Sequence, residues 1–118
     1  MKKWFLVLFI LTSLFFSCAK EQFGGLGIEV PSGTAIVSDE NPYVIVTVFE
    51  GFAGDKAGLK ENDIILKVDN IELNGLTQEH IYKNLLRGKA GTTVELEVQR
   101  EDEIHVYRLL RQKIIVQE

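Results

Sequence analysis

The stretch "GGLGIEV" (Gly24–Val30) places three glycines in four residues and then runs into mixed apolar and charged residues. Glycine-rich turns let a backbone come close to something else, and what that is bears on the whole chain. A dinucleotide fingerprint needs a further glycine at position 30 and a helix directly afterwards. Position 30 is Val, and Pro31 favours extended backbone before it. A phosphate loop needs a Gly-Lys-Ser/Thr ending, which this stretch lacks. What remains is a loop running into an extended strand. Gly25 and Gly27 can turn backbone N–H groups toward one point, a nest suited to a small anion such as a peptide's terminal carboxylate. A plain tight turn accounts for the same glycines, and the loop alone leaves both readings open.

At 118 residues the chain has room for one small domain. Its start reads as a processed segment. Lys2 and Lys3 form a basic beginning, and Trp4 to Phe16 is an apolar run interrupted only by Thr12 and Ser13. That run is shorter than the roughly 20 residues a membrane span needs and has the build of a signal peptide, assigned to 1–17. Small Ser17 precedes Cys18, the only cysteine, so no disulfide can form within the chain. "LFFSC" resembles a bacterial lipobox, with Phe15 where an aliphatic residue is usual. The resemblance implies cleavage before Cys18 and lipidation of Cys18, with an uncleaved signal anchor as the alternative. The expected layout is a signal peptide over 1–17, a short tether over 18–22, a domain over 23–113 and a tail over 114–118. The expected location is the bacterial cell envelope, lipid-anchored and facing the periplasm or exterior.

The formal charge is −4. Removing Lys2 and Lys3 leaves 11 basic against 17 acidic residues, a formal −6. An acidic module has no electrostatic footprint for nucleic acid and no polybasic patch for anionic lipid. Membrane attachment would therefore fall to acyl chains on Cys18.

Strand patterns dominate the rest. "YVIVTVF" (Tyr43 to Phe49) is β-branched and apolar enough for a central buried strand, and "DIILKV" (Asp63 to Val68) reads as another. "TVELEVQR" (Thr93 to Arg100) alternates, with Val94, Leu96 and Val98 on one face and Glu95, Glu97 and Gln99 on the other, as in a sheet with one wet side. "IHVYRLL" follows the polar turn "EDE", so the last two runs form a hairpin. "TQEHIYKNLLRG" predicts a helix capped by Thr77, carrying Ile81, Tyr82, Leu85 and Leu86 on one flank and stopping at Gly88. A shorter helical turn fits "AGDKAG" (Ala53 to Gly58). The expectation is an α+β domain of about five antiparallel strands and two helices.

The ordered set "GLGI", then "AGLK..D.I..V", then "LRG..G..V.L.V.R" closely resembles a PDZ domain. The order of elements is similar to the bacterial, circularly permuted kind found in C-terminal processing peptidases and high-temperature-requirement proteases. The resemblance covers about Phe23 to Lys113 and implies a small, partly open β-barrel or sandwich. Where the family usually has Gly-Asp and Asn-Gly, this chain has Asn62-Asp63 and Asp69-Asn70. Asn tolerates positive φ, so both turns can survive.

The resemblance also implies a function. PDZ domains bind the C-terminal tail of a partner as an added strand, between the second strand and the long helix. Carried over by position, Gly25, Leu26, Gly27 and Ile28 form the carboxylate loop, and Ile28, Glu29 and Val30 supply the strand edge. Leu26 and Ile28 help line the pocket for the last side chain. On the helix, Glu79, Lys83 and Leu86 or Gln78, Tyr82 and Leu85 could face the groove, and Tyr82 and Leu86 are chosen. His80, which begins such helices in one ligand-selective class, is read as an exposed helix residue, His105 as structural, and Glu95 with Glu97 as a solvated face.

Ser32 and Ser38 are the only serines after the leader, and neither sits on a nucleophile motif. No Cys/His/Asp cluster has metal spacing, so no metal or cofactor is expected. The chain is read as a non-catalytic module binding a protein or peptide C-terminus, as adaptor or regulator of envelope proteolysis. A structural envelope lipoprotein, or a truncated remnant of a processing peptidase, are the alternatives.

Overall fold

The computed structural model describes residues 21–116. The signal peptide assigned to 1–17 and the lipidation site at Cys18 lie outside the described residues.

Among the described residues eight strands and two helices follow one another. β1 (Glu21–Gly25), β2 (Ile28–Glu29) and β3 (Thr47–Val48) precede the short helix α1 (Ala53–Ala57). β4 (Ile64–Val68) and β5 (Ile71–Glu72) lead to the long helix α2, which is α-helical over Gln78–His80 and π-helical over Ile81–Leu86. β6 (Thr93–Arg100), β7 (Glu103–Leu110) and β8 (Gln112–Val116) complete the domain. This is the expected α+β fold; β2, β3, β4, β6 and β7 fall in the expected runs, and β1, β5 and β8 are strands beyond them. One sheet runs β5-β4-β6-β7, and two ribbons pair β1 with β8 and β2 with β3, all antiparallel.

The β6–β7 hairpin matches the sequence pattern residue for residue. Val94, Leu96 and Val98 are buried, and the intervening Glu95, Glu97 and Gln99 are half-exposed. The turn at Glu101 has positive φ.

The run from Tyr43 to Phe49 is not one regular strand. Tyr43 and Ile45 are fully buried, and their backbone bonds go to the β4 side, with Ile65 N donating to Tyr43 O and Ile45 N to Asp63 O. From Val46 onward the bonds go to β2, where Val46 N donates to Glu29 O and Phe49 N to Gly27 O. The chain thus crosses from the large sheet to the β2–β3 ribbon, and only Thr47–Val48 keeps ladder geometry.

Asn62, Asp69 and Asn70 have φ of 77°, 49° and 69°. Asn62 and Asn70, which stand where the family has glycine, therefore hold the left-handed backbone that those turns require, and Asp69 shares it. The core gathers Leu26, Val37, Tyr43, Ile45, Ile65, Val68, Leu73, Ile81, Leu86, Val94, Leu96 and Val98. β1 takes in Glu21 and Gln22 of the expected tether, and β8 takes in 114–116 of the expected tail.

Two polar clusters brace this frame. Buried Asp63 accepts from Arg100 Nε at 2.8 Å and Nη2 at 2.7 Å, and from the Lys60 N–H at 2.9 Å. Arg100 also donates to Gly58 O and the Tyr107 hydroxyl. Burial pushes the Asp63 carboxyl pKa upward, but the Arg100 hydrogen bonds, the Lys60 N–H and the Arg100 charge together hold it below the ordinary carboxylate value. At the other end, buried Arg111 donates from Nε to Leu86 O and from Nη2 to Leu85 O, both at 2.9 Å, and from Nη1 to Thr92 Oγ1 at 3.0 Å. It satisfies the last carbonyls of α2, which have no partner within the helix. Gly88 makes room for it, since a Cβ there would lie 2.8 Å from Arg111 Cζ.

Candidate functional site

β2 is the element on which a site can be built. Among the described residues it pairs with β3 alone, so its other edge is open. Gly27 O and Glu29 O both accept from the β3 side. Successive residues of a strand direct their backbone groups to opposite edges, which turns the N–H and C=O of Ile28 toward the open edge. A second strand can be added there.

The loop before β2 is held from above by α1. Gly54 N donates to Leu26 O at 2.9 Å, and a Cβ on Gly54 would lie 2.8 Å from Ile28 Cγ2. Gly27 has φ +73°, and Phe52 occupies the space where its side chain would stand. The glycines of "GGLGI" therefore do more than shorten a turn. Gly27 admits left-handed backbone and close contact with Phe52, and Gly25 and Gly27 are both buried.

Beside the open edge lies an apolar cavity of about 260 Å³ lined by Gly25, Leu26, Gly27, Ile28, Val30, Phe49, Phe52, Tyr82, Leu86 and Arg87. A recess lined by Ile28, Glu29, Val30, Ser32, Phe49 and Tyr82 shares four of these walls. The residues singled out from the sequence are thus brought together. Gly25, Leu26, Gly27, Ile28, Val30, Tyr82 and Leu86 surround the first cavity, while exposed Glu29 borders the second.

Helix α2 brings Tyr82 and Leu86 to the same cavity. Neither α-helical register survives past His80, because the helix widens to π geometry, with Arg87 N donating to Tyr82 O across five residues at 3.0 Å. Tyr82, Leu86 and Arg87 then share the groove side. Gln78 is buried, and Glu79 pairs with Lys83 on the exposed side at 2.9 Å, which lowers the Glu79 pKa through that hydrogen bond and charge. His80 is exposed, with Nδ1 2.9 Å from Asn84 Nδ2. The Tyr43 phenol, in the core, has its pKa raised by burial and secondarily by Tyr82.

Phe49, Phe52 and Arg87 belong to the site and were not singled out by sequence. The Arg87 guanidinium lies 5.7 Å from the centre of the Tyr82 ring. "FEGF" (Phe49–Phe52) offered a signal, two large apolar residues in a turn, where exposed aromatics usually mark a contact surface. His105 stands half-exposed in β7, 3.2 Å from Glu103, away from the cavity. Among the described residues no group of three or more His, Cys, Asp or Glu is placed to hold a metal, and no helix is long and apolar enough to cross a membrane.

A small α+β domain with a glycine loop, an open strand edge and a helix across an apolar groove has the PDZ architecture. Residues 44–100 match the family model described as a PDZ domain. A Staphylococcus aureus protein named "Probable CtpA-like serine protease" is 31% identical over 96 residues, covering 80% of this chain and 18% of its own length. The PDZ domain of the carboxy-terminal protease of Vibrio cholerae, solved with a peptide, superposes with a TM-score of 0.57 at 20% identity, over 80% of this chain and 98% of that one. The HtrA-type protease AlgW, solved with a decapeptide, gives 0.61 at 19% identity, over 79% and 30%. The fold is PDZ-like, and the chain is similar to the PDZ domains of C-terminal processing proteases and HtrA-type proteases. It spans under a fifth of the length of the curated relatives it matches.

Proposed function

We propose that this chain is a non-catalytic peptide receptor of the bacterial cell envelope, anchored through a lipidated Cys18 and serving as adaptor or regulator of envelope proteolysis. It takes the C-terminal tail of a partner protein as an added strand on β2. The terminal carboxylate sits at the loop formed by Gly25, Leu26, Gly27 and Ile28. The edge of Ile28, Glu29 and Val30 supplies backbone hydrogen bonds, and the last side chain enters the cavity between Leu26, Ile28, Tyr82 and Leu86.

The observation that carries this reading is the open β2 edge beside an apolar cavity of about 260 Å³. Strand addition uses such an edge for affinity and the adjoining pocket for selectivity. The V. cholerae domain and AlgW were both solved with peptides, which supports the same use of the fold here. A few backbone hydrogen bonds contribute about 1 kcal/mol each, and one buried aliphatic side chain about 1.5–3 kcal/mol. The ordering costs of the peptide oppose them, so affinity falls in the micromolar range or weaker. Amide resonances recorded during peptide titration test the site directly. Leu26, Gly27 and Ile28 shift most under this reading, whereas shifts confined to the β6–β7 face overturn it.

A further inference from the structure

The large sheet ends in β7 (Glu103–Leu110), a strand of 8 residues. Among the described residues β7 pairs with β6 alone, in an unbroken register from Glu103 opposite Arg100 to Leu110 opposite Thr93. Just past the strand, Arg111 N donates to Thr92 O on the β6 side. Successive residues of a strand direct their backbone groups to opposite edges. The odd-numbered residues of β7 therefore bond β6, and the N–H and C=O of Ile104, Val106, Arg108 and Leu110 face the open edge. Helix α1 meets β7 on its inner face, where a Cβ on Gly58 would lie 3.8 Å from the Tyr107 ring.

The side chains of the same four residues make up the outer face of the strand. Ile104, Val106 and Leu110 are 53%, 60% and 54% exposed, and Arg108 is held by Glu95 at 2.9 Å. Sheet edges are ordinarily blunted by proline, lysine, a bulge or short length. β7 has no proline, no lysine and no break in register, and it is as long as any strand in the domain.

This edge is complementary to itself. In antiparallel pairing, residues opposite each other share a face, so even-numbered residues of one copy meet even-numbered residues of the other. With Tyr107 opposite its twin, Ile104 meets the second copy's Leu110, and Val106 meets the second copy's Arg108. The apolar pair is flanked by uncharged Gln99 and Thr93, and the Arg108 stem covers Val106 while Glu95 keeps its head. Neighbouring two-fold registers fit less well. Centring on Val106 sets Leu110 against Asp102, and centring on Arg108 sets that cation against its own twin.

We infer that β7 is a self-association edge, through which two copies of this chain join their four-stranded sheets into one continuous sheet about a two-fold axis at Tyr107. No residue of β7 lines the apolar cavity beside β2, so the pairing uses none of the groove's own walls. A dimer then carries two grooves, and a partner with two tails gains avidity from both. A single strand pair is a small interface of the kind that gives weak, concentration-dependent association.

The test is backbone hydrogen exchange of the full chain in detergent micelles, with micelles in constant molar excess, at about 10 µM and about 500 µM protein. The amides of Ile104, Val106, Arg108 and Leu110 exchange at least about threefold more slowly at the higher concentration, and the β4 amides keep one rate. Val106→Lys, at an exposed position, sets like charge against Arg108 and abolishes the slowing with β4 protection intact. Adding Arg108→Glu to it makes the facing charges opposite and restores the slowing. Exchange at the four amides that ignores protein concentration overturns the inference, as does slowing that survives in Val106→Lys. Slowing that follows detergent at fixed protein concentration means that the face takes lipid and not a second copy. Slowing at Ile28 in place of β7 means that copies meet through the groove. Either result overturns the assignment to β7.

Discussion

Replacing Gly27 by alanine tests the link between the glycine loop and the frame. At φ +73° a residue with a Cβ sits in left-handed backbone, which costs about 1–2 kcal/mol. The added carbon also overlaps the Phe52 Cβ and lies 2.7 Å from its Cγ. Overpacking of this kind costs about 1–3 kcal/mol. The stiffer unfolded chain returns about 0.4–1 kcal/mol. The net expectation is a loss of about 2–4 kcal/mol, a large part of the roughly 5–15 kcal/mol that holds a domain together. Urea unfolding followed by circular dichroism reads this as a fall of roughly 1–2 M in midpoint.

The overlap is with a Cβ, so Phe52→Ala does not rescue the variant. Phe52→Gly recovers the packing share and leaves the backbone share. A Gly27→Ala midpoint within about 0.3 M of the parent would refute the reasoning, as would full rescue by Phe52→Ala.

Two further predictions concern the polar braces. The Asp63 pKa is held below its unfolded value of about 3.9. Its contribution to stability is therefore complete above that value and is lost as pH falls through the lower folded value. Asp63→Asn unfolds at lower urea at neutral pH and shows a shallower decline below about pH 4; parallel pH profiles for parent and variant contradict this. Arg111→Met strands the Leu85 and Leu86 carbonyls at the end of α2 and costs about 2–4 kcal/mol by urea unfolding. A midpoint unchanged by the substitution would show that the helix end needs no cap.

The parts of the fold legible in the sequence were those set by local pattern. Alternation over Thr93 to Arg100 and the polar turn after it define the β6–β7 hairpin because one face is buried and the other wet. Thr77 declared the helix start, and its hydroxyl accepts from His80 N at 3.1 Å. Asn62 and Asn70 announced left-handed turns through the tolerance of Asn for positive φ. What could not be read depended on distant partners. The division of Tyr43 to Phe49 between two sheets follows from which neighbour each backbone group meets, and a uniformly apolar run carries no mark of it.

In the candidate site, "GLGI" and its flanking strand were visible as a motif. The π-helical turn that sets Tyr82, Leu86 and Arg87 on one side was not, because 3.6-residue periodicity was assumed throughout. Phe52 reaches the groove because Gly27 leaves room for it against the loop, a match between residues 25 positions apart.

The most direct measurement of the central claim is the affinity of the full chain for one C-terminal peptide as the free acid and as the amide. The peptide comes from selection on a random C-terminal library. If the "GLGI" loop holds a terminal carboxylate, the free acid binds saturably and amidation weakens it at least about tenfold, the scale of lost charge-assisted hydrogen bonds. Equal affinity of acid and amide would contradict the account and point to recognition of an internal segment.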